Sequence, residues 1–478
     1  MFNLLKNYNN LSIELKSSLW YMACNLLQKC IGVISIPILT RLLSTSEYGL
    51  YSVFLAWLQV FEIPVTLRLS WGSYIVGLTK FNNDRERYSS SLLSLSYIIT
   101  TIFLVFYLLF YEFVNNVTGL SIEITLAIFA ILYTSPAISF WCGLQKVCMR
   151  YKQMVIVTIF ISLFIPLIGF CFIINDIFST KYLGMIYSRF FVQGAIAFTI
   201  TFLFYKASFA IYNKKYWKFA LSMNLPLVPY YYSLVLLAAS AKIMIQNIIG
   251  SAEAGIYSVA YSAAMVMTLL NSSLNSTIQP WLFKKLKEKN FDGISKILSI
   301  SILFVAIVNL MLIAFAPEAV AFFAPPQYYE AIWIIPPIAA SVVVMFVYQH
   351  FVNIEFYFEE TNRIALASIG VAILNITLNY LLLPEFGYFI TGYIMLISYI
   401  IFALVHYFMC KTICLKNNCQ NILLNIKIIL TILLLFSILA AILTFTYHIP
   451  FLKYVFALTI CVISYYNHKY LFKIFKIK

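Results

Sequence analysis

Charged residues are scarce in this chain of 478 residues. Only 10% of the residues are Asp, Glu, Lys or Arg, whereas 63% are hydrophobic and the mean hydropathy is +0.91. Soluble domains carry about 25% charged residues, and only about half of their residues are apolar. The composition therefore excludes a soluble globular protein and indicates a chain that resides in a lipid bilayer.

Motifs for metal, disulfide or nucleotide chemistry are also missing. The nine cysteines include no pair in Cys-x-x-Cys spacing, the four histidines form no His-Glu-x-x-His helix, and no glycine-rich phosphate loop is present. The sequence therefore predicts no catalytic residue, no metal ligand and no cofactor. A net charge of +15 is typical of nucleic-acid binding, but here we assign the charge to membrane topology and expect no nucleic-acid partner.

Long apolar runs alternate with short polar turns along the sequence. A spanning helix needs about 20 mainly apolar residues, and about fourteen runs meet that length. They lie at 17–43, 48–78, 88–112, 120–143, 153–175, 182–206, 219–249, 255–282, 294–316, 330–357, 364–383, 387–410, 424–446 and 451–468. The predicted fold class is therefore all-α, a polytopic membrane protein.

Lys and Arg residues concentrate in alternate loops. Such residues collect on the cytoplasmic side of short loops, and most of the 32 basic residues fall there if the N-terminus is cytoplasmic. Only Lys181 and Lys453 fall in predicted outer loops. The pattern predicts that both termini are cytoplasmic, and the basic loops are expected to attract anionic membrane lipids.

One short segment occurs twice, 206 residues apart. The residues shared in step are Glu47, Gly49, Tyr51, Ser52 and Val53 in the first copy and Glu253, Gly255, Tyr257, Ser258 and Val259 in the second. Each copy precedes a long apolar run, so the repeat predicts two pseudo-symmetric six-helix lobes in parallel orientation. The predicted parts are an N-lobe at 1–207, a cytoplasmic basic linker at 208–218, a C-lobe at 219–416, and two further helices with a basic cytoplasmic tail at 417–478.

Five basic residues lie inside predicted spans instead of loops. They are Lys29, Arg41, Arg68, Arg189 and Lys242. A cation near the bilayer centre costs about 2.5–3.5 kcal/mol on insertion scales, so such residues usually face a helix bundle or a watery cavity. We take all five as candidate substrate-binding residues. Snorkelling to the membrane interface is the alternative, mainly for Arg41 and Lys242.

The first two spans carry opposite charges at similar depth. Lys29 and Glu62 are therefore expected to pair, either as part of a functional site or only to set the helix register. Pro64 lacks an amide hydrogen and is expected to bend the second span. Arg68 would then lie between that bend and the cytoplasmic end.

Titratable groups for ion coupling are few. Imidazole titrates near neutral pH, so His350 and His406 are candidate proton carriers, with packing inside the bundle as the alternative. Together with Glu62 they are our candidates for binding a coupling ion, H⁺ or Na⁺. The cluster formed by Glu355 and 359–360 precedes a predicted cytoplasmic helix end, and we expect it to be solvated.

The turn after the first span resembles a known family. The segment Thr40-Arg-Leu-Leu-Ser-Thr-Ser-Glu-Tyr-Gly-Leu-Tyr51 is similar to the signature turn of bacterial polysaccharide-export flippases of the O-antigen (Wzx) type. Their superfamily also contains multidrug antiporters and the lipid II flippase. The resemblance implies an inner-membrane protein that moves undecaprenyl-diphosphate-linked oligosaccharide to the periplasmic leaflet by alternating access. It also implies a cationic cavity, which maps by helix and charge to Lys29, Arg41, Arg68 and Lys242, with Arg189 less directly matched, and it implies other polysaccharide assembly proteins as partners.

Other functions of this fold stay open at the level of sequence. A multidrug or cation antiporter would favour acidic cavity residues, and a lipid II-type flippase would share the cationic cavity. A membrane-embedded glycosyltransferase or polymerase would need a large extramembrane site, whereas the predicted outer loops are short. We therefore do not expect an enzyme.

Overall fold

The computed structural model describes residues 12–417 and 425–466, and those residues contain helices but no strand. Thirteen of the helical segments are long and apolar enough to cross a membrane. This confirms the predicted all-α polytopic class. The predicted basic tail residues beyond 466, together with Lys6, Cys419 and His468, lie outside the described residues.

The chain divides into two compact units, Met1–Val235 and Leu236–Lys478. The helices that belong to the first unit, which we call unit 1, are α1 (Ile13–Leu42), α2 (Thr45–Thr66), α3 (Gly72–Lys80), α4 (Arg85–Leu109), α5 (Tyr111–Thr118), α6 (Ile122–Val147), α7 (Tyr151–Ile174), α8 (Lys181–Ala207), α9 (Lys214–Asn224) and the first part of α10 (Val228–Ile248). Short 3₁₀ turns at Asn82–Asp84 and Leu225–Leu227 join neighbouring helices.

The second unit, unit 2, begins within α10. Its other helices are α11 (Ser251–Met265), α12 (Met267–Lys287), α13 (Ile294–Ala314), α14 (Ala316–Phe323), α15 (Ile335–Tyr357), α16 (Thr361–Phe386), α17 (Ile390–Lys416), α18 (Ile426–Phe445) and α19 (Pro450–Tyr466). Two 3₁₀ segments, Pro326–Trp333 and Thr446–His448, connect them.

Several predicted spans differ from the structure. The seventh and eighth, predicted at 219–249 and 255–282, each comprise two helical segments, α9 with α10 and α11 with α12. The second span, predicted as one run at 48–78, is two helices, because α2 ends at Thr66 and α3 begins only at Gly72. The fourteenth span, predicted at 451–468, corresponds to α19, which has 17 described residues and is shorter than each of the thirteen apolar helical segments. The length of an apolar run predicts how much of the chain can cross the membrane, but it does not show where the helix is interrupted.

The duplicated segment forms the start of a helix in both units. In unit 1, the Ser44 hydroxyl accepts from the Glu47 amide at 3.2 Å while the Glu47 carboxylate accepts from the Ser44 amide at 3.0 Å, which is a capping box. In unit 2 the equivalent cap is Gly250, which has no side chain to cap α11. Four of the five shared residues, from the Gly to the Val, are buried in both copies. The repeat therefore records a shared packing arrangement.

The segment predicted as a linker is partly helical. Residues 214–224 form α9, in which Tyr216 is buried and its hydroxyl donates to Asp84 at 3.2 Å. The Trp217 indole donates to the Ser91 carbonyl at 3.1 Å. These bonds tie α9 to α4 and to the 3₁₀ turn before it, within unit 1. The predicted lobe boundaries at 207, 218 and 416 stay predictions.

Candidate functional site

The break between α2 and α3 is the most unusual backbone feature of unit 1. Leu67 and Arg68 both have left-handed backbone conformations, with φ of 48° and 46°. Residues other than glycine occupy that region at a cost of order 1–3 kcal/mol each, and such strain clusters at functional sites. The Thr66 hydroxyl supports the break, because it donates to the Glu62 carbonyl at 2.8 Å and accepts from the Arg68 amide at 3.2 Å.

The break places the Arg68 guanidinium beside two neighbouring aromatic rings. Its central carbon lies 4.0 Å from the centre of the Trp71 ring and 5.4 Å from that of Tyr231, and the two rings are 5.8 Å apart. Cation–π contacts of this kind hold a guanidinium in place by its faces. Its N–H edges then stay available for a planar anion, since arginine binds phosphate or carboxylate with two parallel hydrogen bonds.

The hydrogen-bonding capacity of this arginine is not used up by the protein. Among the described residues, the Arg68 Nε is buried and has no hydrogen-bond partner, and the same is true of the Arg189 Nε on α8. A buried, unpaired donor of a charged group is costly. Two such donors in one unit indicate that a ligand or water completes their bonding.

One carboxylate accompanies the two arginines. The charges of Arg68 and Arg189 both act on the half-buried Glu62 carboxylate. Within residues 12–417 and 425–466, however, none of the three groups forms an ion pair within 4.0 Å. The cluster of Glu62, Arg68 and Arg189, which we call the arginine cluster, is therefore loosely paired and has an excess of one positive charge.

The predicted pair between Lys29 and Glu62 is wrong. Lys29 is exposed on α1 and forms no ion pair with Glu62, whose electrostatic partners are instead Arg68 and Arg189. Similar depth along two helices does not decide which way each side chain points around its helix. Arg41 is also exposed, and it donates to the Pro37 carbonyl at 2.8 Å one turn earlier on α1.

Lys242 lies in unit 2, on α10. It is half-buried, and its Nζ is 4.7 Å from the centre of the Tyr261 ring on α11. The structure therefore brings Arg68 and Arg189 together with Glu62, and it places Lys29, Arg41 and Lys242 in other local environments. The assignment of all five cations to one substrate site stays a prediction.

A partly open cavity of about 200 Å³ is present in unit 1. It is bordered by α1, α6, α7 and α8, and its polar lining residues are Gln28, Ser135, Ser139, Thr158, Ser162 and Gln193. The side-chain carbonyl of Gln193 is buried without a hydrogen-bond partner. Hydroxyl and amide groups of this kind suit water or sugar hydroxyls, and the sequence alone did not indicate that these helices share a cavity.

The histidines of unit 2 have different partners. His350 on α15 lies 3.2 Å from the Ser301 hydroxyl, and His406 on α17 lies 2.8 Å from the Glu355 carboxylate. All three titratable side chains are fully buried. The expectation that Glu355 is solvated is therefore wrong, because its position two residues before the end of α15 gave no information on the helix that covers it. No group of described residues could hold a metal ion.

Several buried asparagines join helices within unit 2. Asn375 accepts from Ser240 at 3.3 Å and donates to Ser398 at 2.9 Å, which links α16 to α10 and α17. Asn271 donates to the Val342 carbonyl at 3.0 Å. Hydrogen bonds of this type hold transmembrane helices together, so these amides are already engaged within the unit.

Fold and site together define a class: a multi-pass membrane protein with the helical architecture of transporters and a charged group at a break in its second span. The chain belongs to the polysaccharide biosynthesis protein family, whose sequence profile matches residues 15–286, more than half of its length. The resemblance noted at the turn after the first span is thus confirmed at the level of the family.

Solved structures show the same fold. The lipid II flippase MurJ in an inward closed conformation has a TM-score of 0.65 and 16% identity, over 95% of this chain and 99% of that chain. An inward-facing multidrug resistance MATE family transporter of the MOP superfamily has a TM-score of 0.60 and 13% identity, over 82% and 94%. A MATE structure in a bent conformation has a TM-score of 0.55 and 14% identity, over 86% and 96%. No curated protein sequence matches the chain significantly.

Proposed function

We propose that this protein is a flippase for an oligosaccharide linked to undecaprenyl diphosphate, such as an O-antigen repeat unit. It would work by alternating access in the bacterial inner membrane, with both termini in the cytoplasm, and would hand its cargo to other polysaccharide assembly proteins. The observation that carries the proposal is Arg68, which lies in a helix break beside two neighbouring aromatic rings and has a buried Nε with no hydrogen-bond partner among the described residues. Family membership supports a role in polysaccharide biosynthesis, and the fold shared with the lipid II flippase MurJ supports a lipid-linked cargo.

The chemistry of the cargo matches the residues of unit 1. A diphosphate must lose part of its hydration when it leaves water, and guanidinium groups replace lost hydration with charge-assisted hydrogen bonds. The aromatic rings of Trp71 and Tyr231 offer apolar faces, and sugars pack against such faces. Trp71 is 47% exposed, so its ring is accessible to a ligand. The role of the protein would be binding and relocation, with no bond made or broken.

A multidrug antiporter is the second candidate, because MATE transporters share this fold. Glu62 in the arginine cluster would be the group that attracts a cationic drug. Two arginines act on that carboxylate, however, and the net positive charge of the cluster disfavours a cation. The anionic cargo therefore has the better electrostatic match.

Binding to the purified full-length protein in lipid nanodiscs tests the proposal. We expect undecaprenyl diphosphate to bind more tightly than undecaprenol. Arg68→Ala should weaken the binding of undecaprenyl diphosphate by about 10- to 100-fold, because a hydrogen bond to a charged group contributes about 1.5–3 kcal/mol. Arg68→Lys keeps the charge but loses the planar fork, so it should have an intermediate affinity. Arg87→Ala, at an exposed arginine of α4, is the matched control and should bind as the wild type does.

Complementation of a strain that lacks its flippase gives the cellular test. Arg68→Ala should abolish surface polysaccharide at normal protein levels, and Arg87→Ala should not. Equal binding of undecaprenyl diphosphate and undecaprenol, or full complementation by Arg68→Ala, would reject the proposal. Extrusion of a cationic dye that depends on Glu62 would establish the antiporter instead.

A further inference from the structure

Unit 2 contains a buried carboxylate–imidazole pair that lies outside the arginine cluster. The Glu355 Oε2 on α15 is 2.8 Å from the His406 Nδ1 on α17. Both side chains are 0% exposed. Ionisable groups inside a membrane protein are expensive, and by default they indicate a functional site.

The pair is shielded from solvent but incompletely bonded. The second carboxylate oxygen of Glu355 and the second ring nitrogen of His406 are buried and have no hydrogen-bond partner among the described residues. The His406 ring packs against Tyr348, with centroids 5.9 Å apart, and against Phe402 at 4.5 Å. A buried pair that only stabilises the fold needs further hydrogen bonds to offset its desolvation, and this pair lacks them on both partners.

One proton decides the charge of the pair. With a single shared proton it is neutral overall, either as imidazole with carboxylic acid or as imidazolium with carboxylate. Without that proton it carries one negative charge, which is costly in a water-free site. The other charges that act on Glu355 are those of Glu360 and Arg363. The Arg363 Nε lies 3.4 Å from the Glu360 Oε2, so the opposite effects of these two charges on Glu355 partly cancel.

Phenols and one further histidine also lie near the pair. Tyr348 stacks on both His406 and Tyr399, which places two phenol rings on this side of the pair. His350, five residues before Glu355 on α15, contacts Ser301 on α13. His350 therefore serves as a comparison, because it is an equally buried imidazole whose hydrogen bond is to a serine hydroxyl.

We propose that Glu355 and His406 form a proton-binding site that couples transport to a proton gradient. The inference rests on the proposed transport function. The proton is held between Glu355 Oε2 and His406 Nδ1 while the site is dry, and it passes to water when movement of α15 against α17 admits water to the pair. Of the candidates for ion coupling, His406 is the one with a carboxylate partner.

Infrared spectroscopy of the purified protein tests proton binding without any transport substrate. We expect a protonated-carboxyl band that disappears as pH rises, and we expect Glu355→Gln to remove that band. His406→Gln should shift the pH at which the band is lost, whereas His350→Gln should leave it unchanged. The proposal would be overturned if the protonated-carboxyl band titrates identically in Glu355→Gln and the wild type and no titrating imidazolium band is lost in His406→Gln.

Transport in proteoliposomes tests coupling. In the wild type, an imposed gradient should alter the transmembrane distribution of lipid-linked oligosaccharide by up to about tenfold per pH unit for each coupled proton. Glu355→Gln and His406→Gln should lose that response but still exchange substrate without a gradient, and His350→Gln should keep the response. Variants that lose only thermal stability would show a structural pair and reject the proposal. If even the wild type moves no lipid-linked oligosaccharide, the proposed function fails, while the infrared titration still decides whether the pair binds a proton.

Discussion

At the scale of single residues, the charge of Glu62 opposes the charges of the two arginines that would bind the proposed anionic cargo. The carboxylate partly neutralises Arg68 and Arg189 without forming a close ion pair with either of them. An internal counter-ion of this kind lowers affinity for the ligand but limits the cost of holding two cations away from water. A weakly bound anion can also leave again, as a transport cycle requires.

Removing that negative charge should strengthen anion binding. Glu62→Gln is nearly isosteric, and we expect it to tighten the binding of undecaprenyl diphosphate by roughly severalfold, because attraction between charges is strong at low effective dielectric. The measurement is a binding titration in nanodiscs, with transport assayed in parallel for slower release. Glu112→Gln, at an exposed glutamate of α5, is the control. Weaker binding by Glu62→Gln would mean that the carboxylate itself contacts the ligand.

At the scale of helices, the short α3 that follows the break is held by close packing. An added Cβ at Gly77 would clash with the hydroxyl and the ring of Tyr88. Tyr88 is 0% exposed and packs against Tyr74, with ring centroids 5.8 Å apart, so it has no room to move. The glycine therefore lets α3 approach α4, and that approach positions the end of the break.

A pair of glycine substitutions tests this arrangement. Gly77→Ala should lower the free energy of unfolding by about 1–3 kcal/mol, as overpacking of a dense core does. Gly72→Ala is the matched control on the same helix, since an added Cβ there meets no atom within 4 Å. Thermal unfolding in detergent measures both. Equal stability of the two variants would show that the Tyr88 side chain rearranges easily.

At the scale of the whole molecule, the duplicated architecture carries different chemistry in each half. At the repeat offset of 206 residues, Glu62 and Arg68 correspond to Thr268 and Leu274, and His406 corresponds to Ile200. The shared residues of the repeat are mostly buried packing positions. Packing was thus retained in both copies, while the charged groups of the two proposed sites occur in one copy each.

The membrane orientation is a prediction at the same scale. In a background with all nine cysteines replaced by serine, Ser179→Cys should react with a membrane-impermeant maleimide in intact spheroplasts, because position 179 lies in the predicted outer loop between the spans 153–175 and 182–206. Lys289→Cys, in a predicted inner loop, should react only after permeabilisation. Both positions are exposed in the structure, so access to reagent depends on the membrane alone. The reverse pattern would place the termini outside.

The sequence by itself determined that the protein resides in a lipid bilayer, that its fold is all-α, roughly where its spans lie, and which family it resembles. These properties follow from composition and from run length, because a bilayer demands about 20 apolar residues for each crossing whatever lies beside them. The five cations within spans were also visible, since a charge in an apolar run needs no neighbour to be recognised. The bend expected near Pro64 was close to the real break, although the backbone leaves the helix at Leu67 and Arg68, where no glycine indicates a left-handed conformation.

Only the tertiary structure decided which charged groups meet. Depth along a helix can be counted from the sequence, but the direction of a side chain around the helix axis and the identity of the neighbouring helix cannot. For that reason Glu62 faces Arg68 and Arg189 instead of Lys29, Tyr231 reaches Arg68 across 163 residues of sequence, and Glu355 meets His406 instead of water.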